Sequence, residues 1–145
     1  MNWKASAESD LRLYNLRRQS LDNIQERITA LKATQDGLRA AAADSEPVKG
    51  GQSKYEDKLI NSIVEIERLK INYAAASKLV NLTEKGLAGL SEEEREIIDC
   101  FYINREYRHI DSLREKLHLE KSQIYKLKDT ALYKFTVFCY GIIDL

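Results

Sequence analysis

Near the end of this chain two short apolar-periodic runs meet across three residues, and so tight a junction leaves little freedom in how two helices cross. Ile110, Leu113 and Leu117 recur at spacings of three and four, which puts them on one helical face. Ile124, Leu127, Ala131 and Phe135 repeat that pattern after a gap at His118 to Glu120. Helices joined by so short a turn cross steeply, as in a helix-turn-helix. That geometry presents the second helix to a DNA major groove.

The rest of the chain also reads as helix, and the fold class expected is all-α. Tyr14, Leu21, Ile24, Ile28, Leu31 and Leu38 occupy heptad seam positions, interrupted by the polar Arg17 and Gln35. The run ends at Asp44-Ser-Glu-Pro-Val-Lys-Gly-Gly51, where Pro47 removes an amide donor and paired glycines weaken helix. A second helix is expected from about Tyr55 to Asn81, with Leu59, Ile63, Ile66, Leu69, Tyr73 and Val80 as its apolar stripe. Ala74 to Ala76 would let a neighbour approach closely. The simplest arrangement is a coiled-coil-like antiparallel hairpin, packed on itself, on a second subunit, or on both. Gly86 and Gly89 suit a helix end and turn, and Ser91 with Glu94 forms a capping box that opens the next helix. Ile97, Ile98, Phe101 and Tyr102 supply that helix's core face, and Asn104 to Arg108 connect it to the helix-turn-helix. The division expected is a helical hairpin at 1–86 and a DNA-binding module at 87–145.

Overall charge is balanced, so bulk electrostatics select no partner. Local charge does more. Residues 91–106 carry six acidic side chains against two arginines, whereas residues 121–134 carry four lysines against Asp129. A basic helix beside an acidic one suits a nucleic-acid reader with one working face, and equally an ordinary solvated helix. Cys100 and Cys139 lie in apolar runs without metal-ligand spacing, so both are expected as buried thiols. His109 and His118 have no metal spacing either. Lys49-Gly50-Gly51 lacks the order of a phosphate loop and follows a helix rather than a strand. No paired acid and base or nucleophile arrangement appears, so neither an enzyme nor a cofactor is expected. With no long apolar run and no leader-like N-terminus, a cytoplasmic protein without membrane association is expected.

Leu90-Ser-Glu-Glu-Glu-Arg-Glu-Ile-Ile-Asp-Cys-Phe-Tyr102, followed by the two periodic runs and Ala131-Leu132, resembles the promoter-binding C-terminal region of bacterial sigma factors. A wider resemblance rests on Asn2-Trp3-Lys4, Ser20 to Ile24, Pro47 to Gly51, Tyr125 to Leu132 and Lys134-Phe-Thr136. Together these are similar to a family of small proteins of Gram-positive bacteriophages and prophages, related to the late-gene activators called the ArpU and RinA types. The resemblance implies a sigma-like transcriptional regulator acting in the cytoplasm of a bacterial host. The sequence departs from the motif where His118 stands at a position often held by Gly, and where Glu120 replaces a Ser or Thr cap.

If Ile124, Leu127 and Ala131 face inward, Lys121, Ser122, Gln123, Tyr125, Lys126 and Lys128 lie on or beside the outward face. Lys121 and Ser122 would then meet phosphate at the helix start, Gln123 adenine, and Lys126 guanine or phosphate. Tyr125 would stack or hydrogen-bond in the groove, and Arg108 and His109 would meet a passing phosphate. The expected partners are duplex DNA and a second copy of the chain, with host RNA polymerase as a further one. Two alternatives remain open at this stage: a small-terminase-like DNA packaging protein, and a polymerase- or sigma-binding protein without its own DNA binding.

Overall fold

A computed structural model describes residues 2–44 and 54–141. The chain is all-α, with five helices and no strand among the described residues. Of the expected break at Asp44 to Gly51, all but Asp44, the last residue of α1, lies outside those residues. Helix α1 spans Trp3–Asp44 and α2 spans Lys54–Ala88. Then come α3 at Glu92–Ile98, a π-helical turn at Asp99–Ile103, α4 at His109–Leu117 and α5 at Lys121–Tyr140. No helix among the described residues is long and apolar enough to cross a membrane.

Contacts divide the chain into two compact units: residues 1–17 with 78–145, and residues 18–77. This division differs from a boundary at 86/87, because both long helices contribute their outer ends to the first unit. Ala7 and Leu11 of α1 are fully buried in one core with Leu90, Ile98, Tyr102, Leu132 and Phe135. Trp3 packs on that core, its ring edge-on to Tyr133 at 5.9 Å, and so anchors the start of α1. Asn2 caps α1 by accepting from the Ala5 amide at 3.1 Å.

Helix α2 runs two turns beyond the expected Asn81. Gly86 lies inside it rather than ending it, and the break comes at Gly89 and Leu90. Gly86 serves close packing: a Cβ there would stand 2.6 Å from Phe135 Cε2. In the same unit Tyr14 donates to Glu84 at 2.8 Å, and Tyr140 bonds Asp10. Asn15 Nδ2 donates to Ile103 O at 3.2 Å and Asn104 Oδ1 at 2.9 Å, tying α1 to the end of the π-helical turn. The widened turn itself shows as a bond from the Asn104 amide to Asp99 O, five residues back.

In the unit of residues 18–77, α1 and α2 run antiparallel. Gln25 donates to Tyr73 at 3.0 Å and Arg27 pairs with Glu65 at 3.1 Å. The seam on α1 follows the heptad pattern: Leu31 and Gln35 are buried, and Leu21, Ile24, Ile28 and Leu38 are half-buried. On α2 the seam takes Ser62 rather than Ile63. A strict three-four alternation through Leu59, Ile66, Leu69 and Tyr73 selects position 62, leaving Ile63 43% exposed. Gly37 is exposed within α1, and nothing lies within 4 Å of where a Cβ would stand. Gly37→Ala is therefore expected to stabilise this unit by about 0.5–1 kcal/mol through helix propensity, read as a raised urea midpoint.

Candidate nucleic-acid interface

The helix-turn-helix forms where the spacing places it, and its inward residues make a second core. Ile97, Cys100, Leu113 and Ile124 are buried together, with Ile110, Leu117, Leu119 and Leu127 packed against them. Ser91 and Glu94 form the expected capping box, the Ser91 amide donating to Glu94 at 3.1 Å and the Glu94 amide to Ser91 Oγ at 3.2 Å. Glu94 Oε2 accepts no well-aligned hydrogen bond but lies 3.0 Å from the Lys134 ammonium. Burial raises the Glu94 pKa, yet the Ser91 bonds and Lys134 outweigh it and hold the carboxyl below its usual range. Lys134 is thus committed to the module's own structure.

Both cysteines are buried and unpaired, as expected of structural thiols. Burial pushes Cys100 up to about 11, with help from the charges of Glu106 and Glu96; burial raises Cys139 to about 11 as well. Neither is a ready thiolate at neutral pH. Among the described residues no group of His, Cys, Asp and Glu could hold a metal ion.

The turn between α4 and α5 depends on His118, which adopts the left-handed conformation at φ 55°, ψ 41°. A non-glycine residue there costs roughly 1–2 kcal/mol, against about 0.5–1 kcal/mol of extra chain entropy that a glycine loses on folding. His118→Gly is therefore expected to raise stability by about 0.5–1 kcal/mol. His118→Val, branched at Cβ, should lower it by at least about 1 kcal/mol in the same urea titration. Arg108, just before α4, is also left-handed at φ 56° and supplies no side-chain cap.

Helix α5 presents its first two turns to solvent. Lys121, Ser122, Gln123, Tyr125 and Lys126 are exposed while Ile124 between them is fully buried. The expected face is thus partly assembled, and three of its members have other attachments. Gln123 Oε1 accepts from the Glu120 amide at 3.0 Å, so Gln123 caps its own helix. A bidentate pair with adenine needs that oxygen as well as Nε2, so base reading by Gln123 would compete with the cap. Lys128 turns inward: its side chain is 17% exposed and pairs with Asp129 at 3.6 Å. Its ammonium sits 5.4 Å from the ring centres of both Phe101 and Tyr125. Tyr125 stands edge-on to Phe101 at 5.9 Å, leaving 38% of the residue exposed.

Arg108 is exposed, with its guanidinium 5.5 Å from the Tyr107 ring. His109 is half-buried and edge-on to Phe101 at 4.7 Å. Burial, then the Arg105 charge, lowers its pKa. One cation escaped the sequence reading. Lys4 reaches Asp129 at 3.9 Å, beside the basic helix, and no local pattern relates residues so far apart in the chain. Beyond α4 an open concavity is lined by Tyr107, Arg108, Arg114 and the carboxylates of Asp111, Glu115 and Glu120. Its mixed charge suits a phosphate track less well than the start of α5 does. Comparison with known protein families, characterised proteins and solved structures finds no match.

Proposed function

We propose that this chain is a DNA-binding transcriptional regulator of a phage or prophage, reading duplex DNA with the first two turns of α5. The observation that carries the reading is the exposure of Lys121, Ser122 and Lys126 on a helix whose opposite face is locked by Ile124 and Ala131, both fully buried. A rigid inner face and a free cationic outer face suit insertion between phosphate ridges. Lys121, Ser122 and the first backbone amides would position the helix on phosphate, and Lys126 would reach a base edge or a second phosphate. A single module has modest specificity, so two copies reading paired half-sites fit this role best. Lys128 and Gln123 serve the fold first in this account, and Arg108 supports from the start of α4.

The test is a binding titration with duplex fragments from the source genome. Lys121→Ala with Lys126→Ala should weaken binding at least tenfold and shrink the log–log salt slope by about two, one for each lost phosphate contact. Unchanged affinity and slope would remove these two residues from the interface. A second reading, attachment to a protein such as RNA polymerase, is supported by Tyr107. That side chain is 88% exposed at the rim of the mixed-charge concavity, where Tyr107→Ala would weaken a protein complex and spare DNA binding.

A further inference from the structure

Four exposed residues of α5, Ser122, Lys126, Asp129 and Tyr133, recur at spacings of four, three and four and so share the helix's outward face. A carboxylate in that row opposes the binding of phosphate, since Asp129 stands only one turn from Lys126. The fold answers it from another helix. Within the unit of residues 1–17 and 78–145, the first turn of α1 lies against this face at two successive points. Trp3 stands edge-on to Tyr133, and Lys4 reaches Asp129 at 3.9 Å. Trp3 also packs on the buried core, which fixes where the Lys4 side chain starts.

The charges around Asp129 do not cancel. Lys128 pairs with the same carboxylate at 3.6 Å, and its side chain, 17% exposed, is held at the Phe101 and Tyr125 rings. One turn further along α1, Glu8 pairs with Arg12 at 3.6 Å, and that guanidinium lies 5.5 Å from the Tyr102 ring centre. Lys4, Arg12 and Lys128 thus face Glu8 and Asp129, three cations against two carboxylates. Lys128 is confined and Arg12 serves Glu8, so Lys4 is the cation that can leave without stranding a carboxylate. Its side chain is half exposed, and an exposed pair at 3.9 Å is worth little.

Resting on the reading of α5 as the groove helix, we propose that Lys4 contacts a backbone phosphate beside the groove. Its ammonium leaves Asp129 for the phosphate while Lys128 keeps that carboxylate neutralised. The start of α1 then becomes a second element of the DNA interface. It positions the module on the backbone while α5 faces the bases, the usual division between phosphate and base contacts. The exchange keeps the ammonium paired throughout and releases a counterion from the duplex.

Titration of the full chain with duplex fragments from the source genome, repeated over a range of salt, tests the exchange. Lys4→Ala should weaken binding about threefold or more and shrink the log–log salt slope by about one, whereas Lys4→Arg should keep both. The same loss should persist when Lys4→Ala is combined with Asp129→Asn and compared with Asp129→Asn alone, because a phosphate contact does not need the carboxylate. The urea midpoint of Lys4→Ala should match the wild type. Unchanged affinity and slope in Lys4→Ala overturn the proposal. So does a loss that vanishes in the Asp129→Asn background, which would make Lys4 a shield for Asp129 and nothing more. A loss that comes with a lowered midpoint and is not rescued by Lys4→Arg overturns it as well. If Lys121→Ala with Lys126→Ala weakens binding and Lys4→Ala does not, this inference fails alone. Indifference to Lys121→Ala with Lys126→Ala, or no duplex bound at all, ends the reading of α5 and this inference with it.

Discussion

Phe135→Ala should cost about 3–5 kcal/mol, the usual loss when a fully buried phenyl group leaves a cavity that the surroundings only partly fill. That is a large share of the roughly 5–15 kcal/mol by which a domain is stable. Phe135 has no exposed surface and shares its core with Ala7, Leu11, Leu90, Ile98, Tyr102, Ala131, Leu132 and Cys139. The cavity would therefore be walled by residues from the start of α1, the α2–α3 junction, α3, the π-helical turn and α5. Trp3, the single tryptophan, packs on this core, so its fluorescence follows unfolding of the unit in urea. A loss below about 1 kcal/mol would mean that this core is looser than the fully buried ring implies.

The second large effect belongs to Gly86, where two opposing terms can be weighed. Inside a helix Gly→Ala ordinarily gains about 0.8–1.0 kcal/mol. Here the added Cβ would meet Phe135 Cε2 at 2.6 Å, Cδ2 at 2.7 Å and Cys139 Cβ at 3.1 Å. Neither neighbour can swing into solvent, because Phe135 is fully buried and Cys139 is 4% exposed. Overpacking of this kind costs about 1–3 kcal/mol, so Gly86→Ala should destabilise on balance, and Gly86→Val by about 3 kcal/mol or more once the branched side chain adds its bulk. Gly89 provides the contrast. A Cβ there would overlap the Phe138 ring, but that ring is 42% exposed and can rotate away. Gly89→Ala should accordingly shift the urea midpoint far less than Gly86→Ala. Combining Gly86→Ala with Phe135→Leu should recover part of the loss, since the two residues share one contact.

Local periodicity made the helices legible. Ile110, Leu113 and Leu117 on α4, and Ile124, Ala131 and Phe135 on α5, fall on buried or half-buried faces because a three-four spacing has few other uses. The Ser91–Glu94 capping box was legible for the same local reason. What the sequence hid were consequences of distant packing. Gly86 reads as a helix end, yet it is the place where α2 admits Phe135, a residue 49 positions later. Ile63 reads as seam, but its neighbour Ser62 takes that position in the alternation. Gln123 and Lys128 read as outward and available; the capping bond to Glu120 and the Phe101–Tyr125 rings become visible only with coordinates. Lys4 beside Asp129 could not be inferred from spacing at all.

Amide chemical-shift mapping of the full chain during titration with a bound duplex tests the proposal that the first two turns of α5 receive duplex DNA. The largest shifts are expected at residues 121–126, with smaller ones around Arg108 and little change at residues 18–77. Shifts concentrated in 18–77 with the start of α5 silent, or no duplex that perturbs residues 121–126, would contradict it.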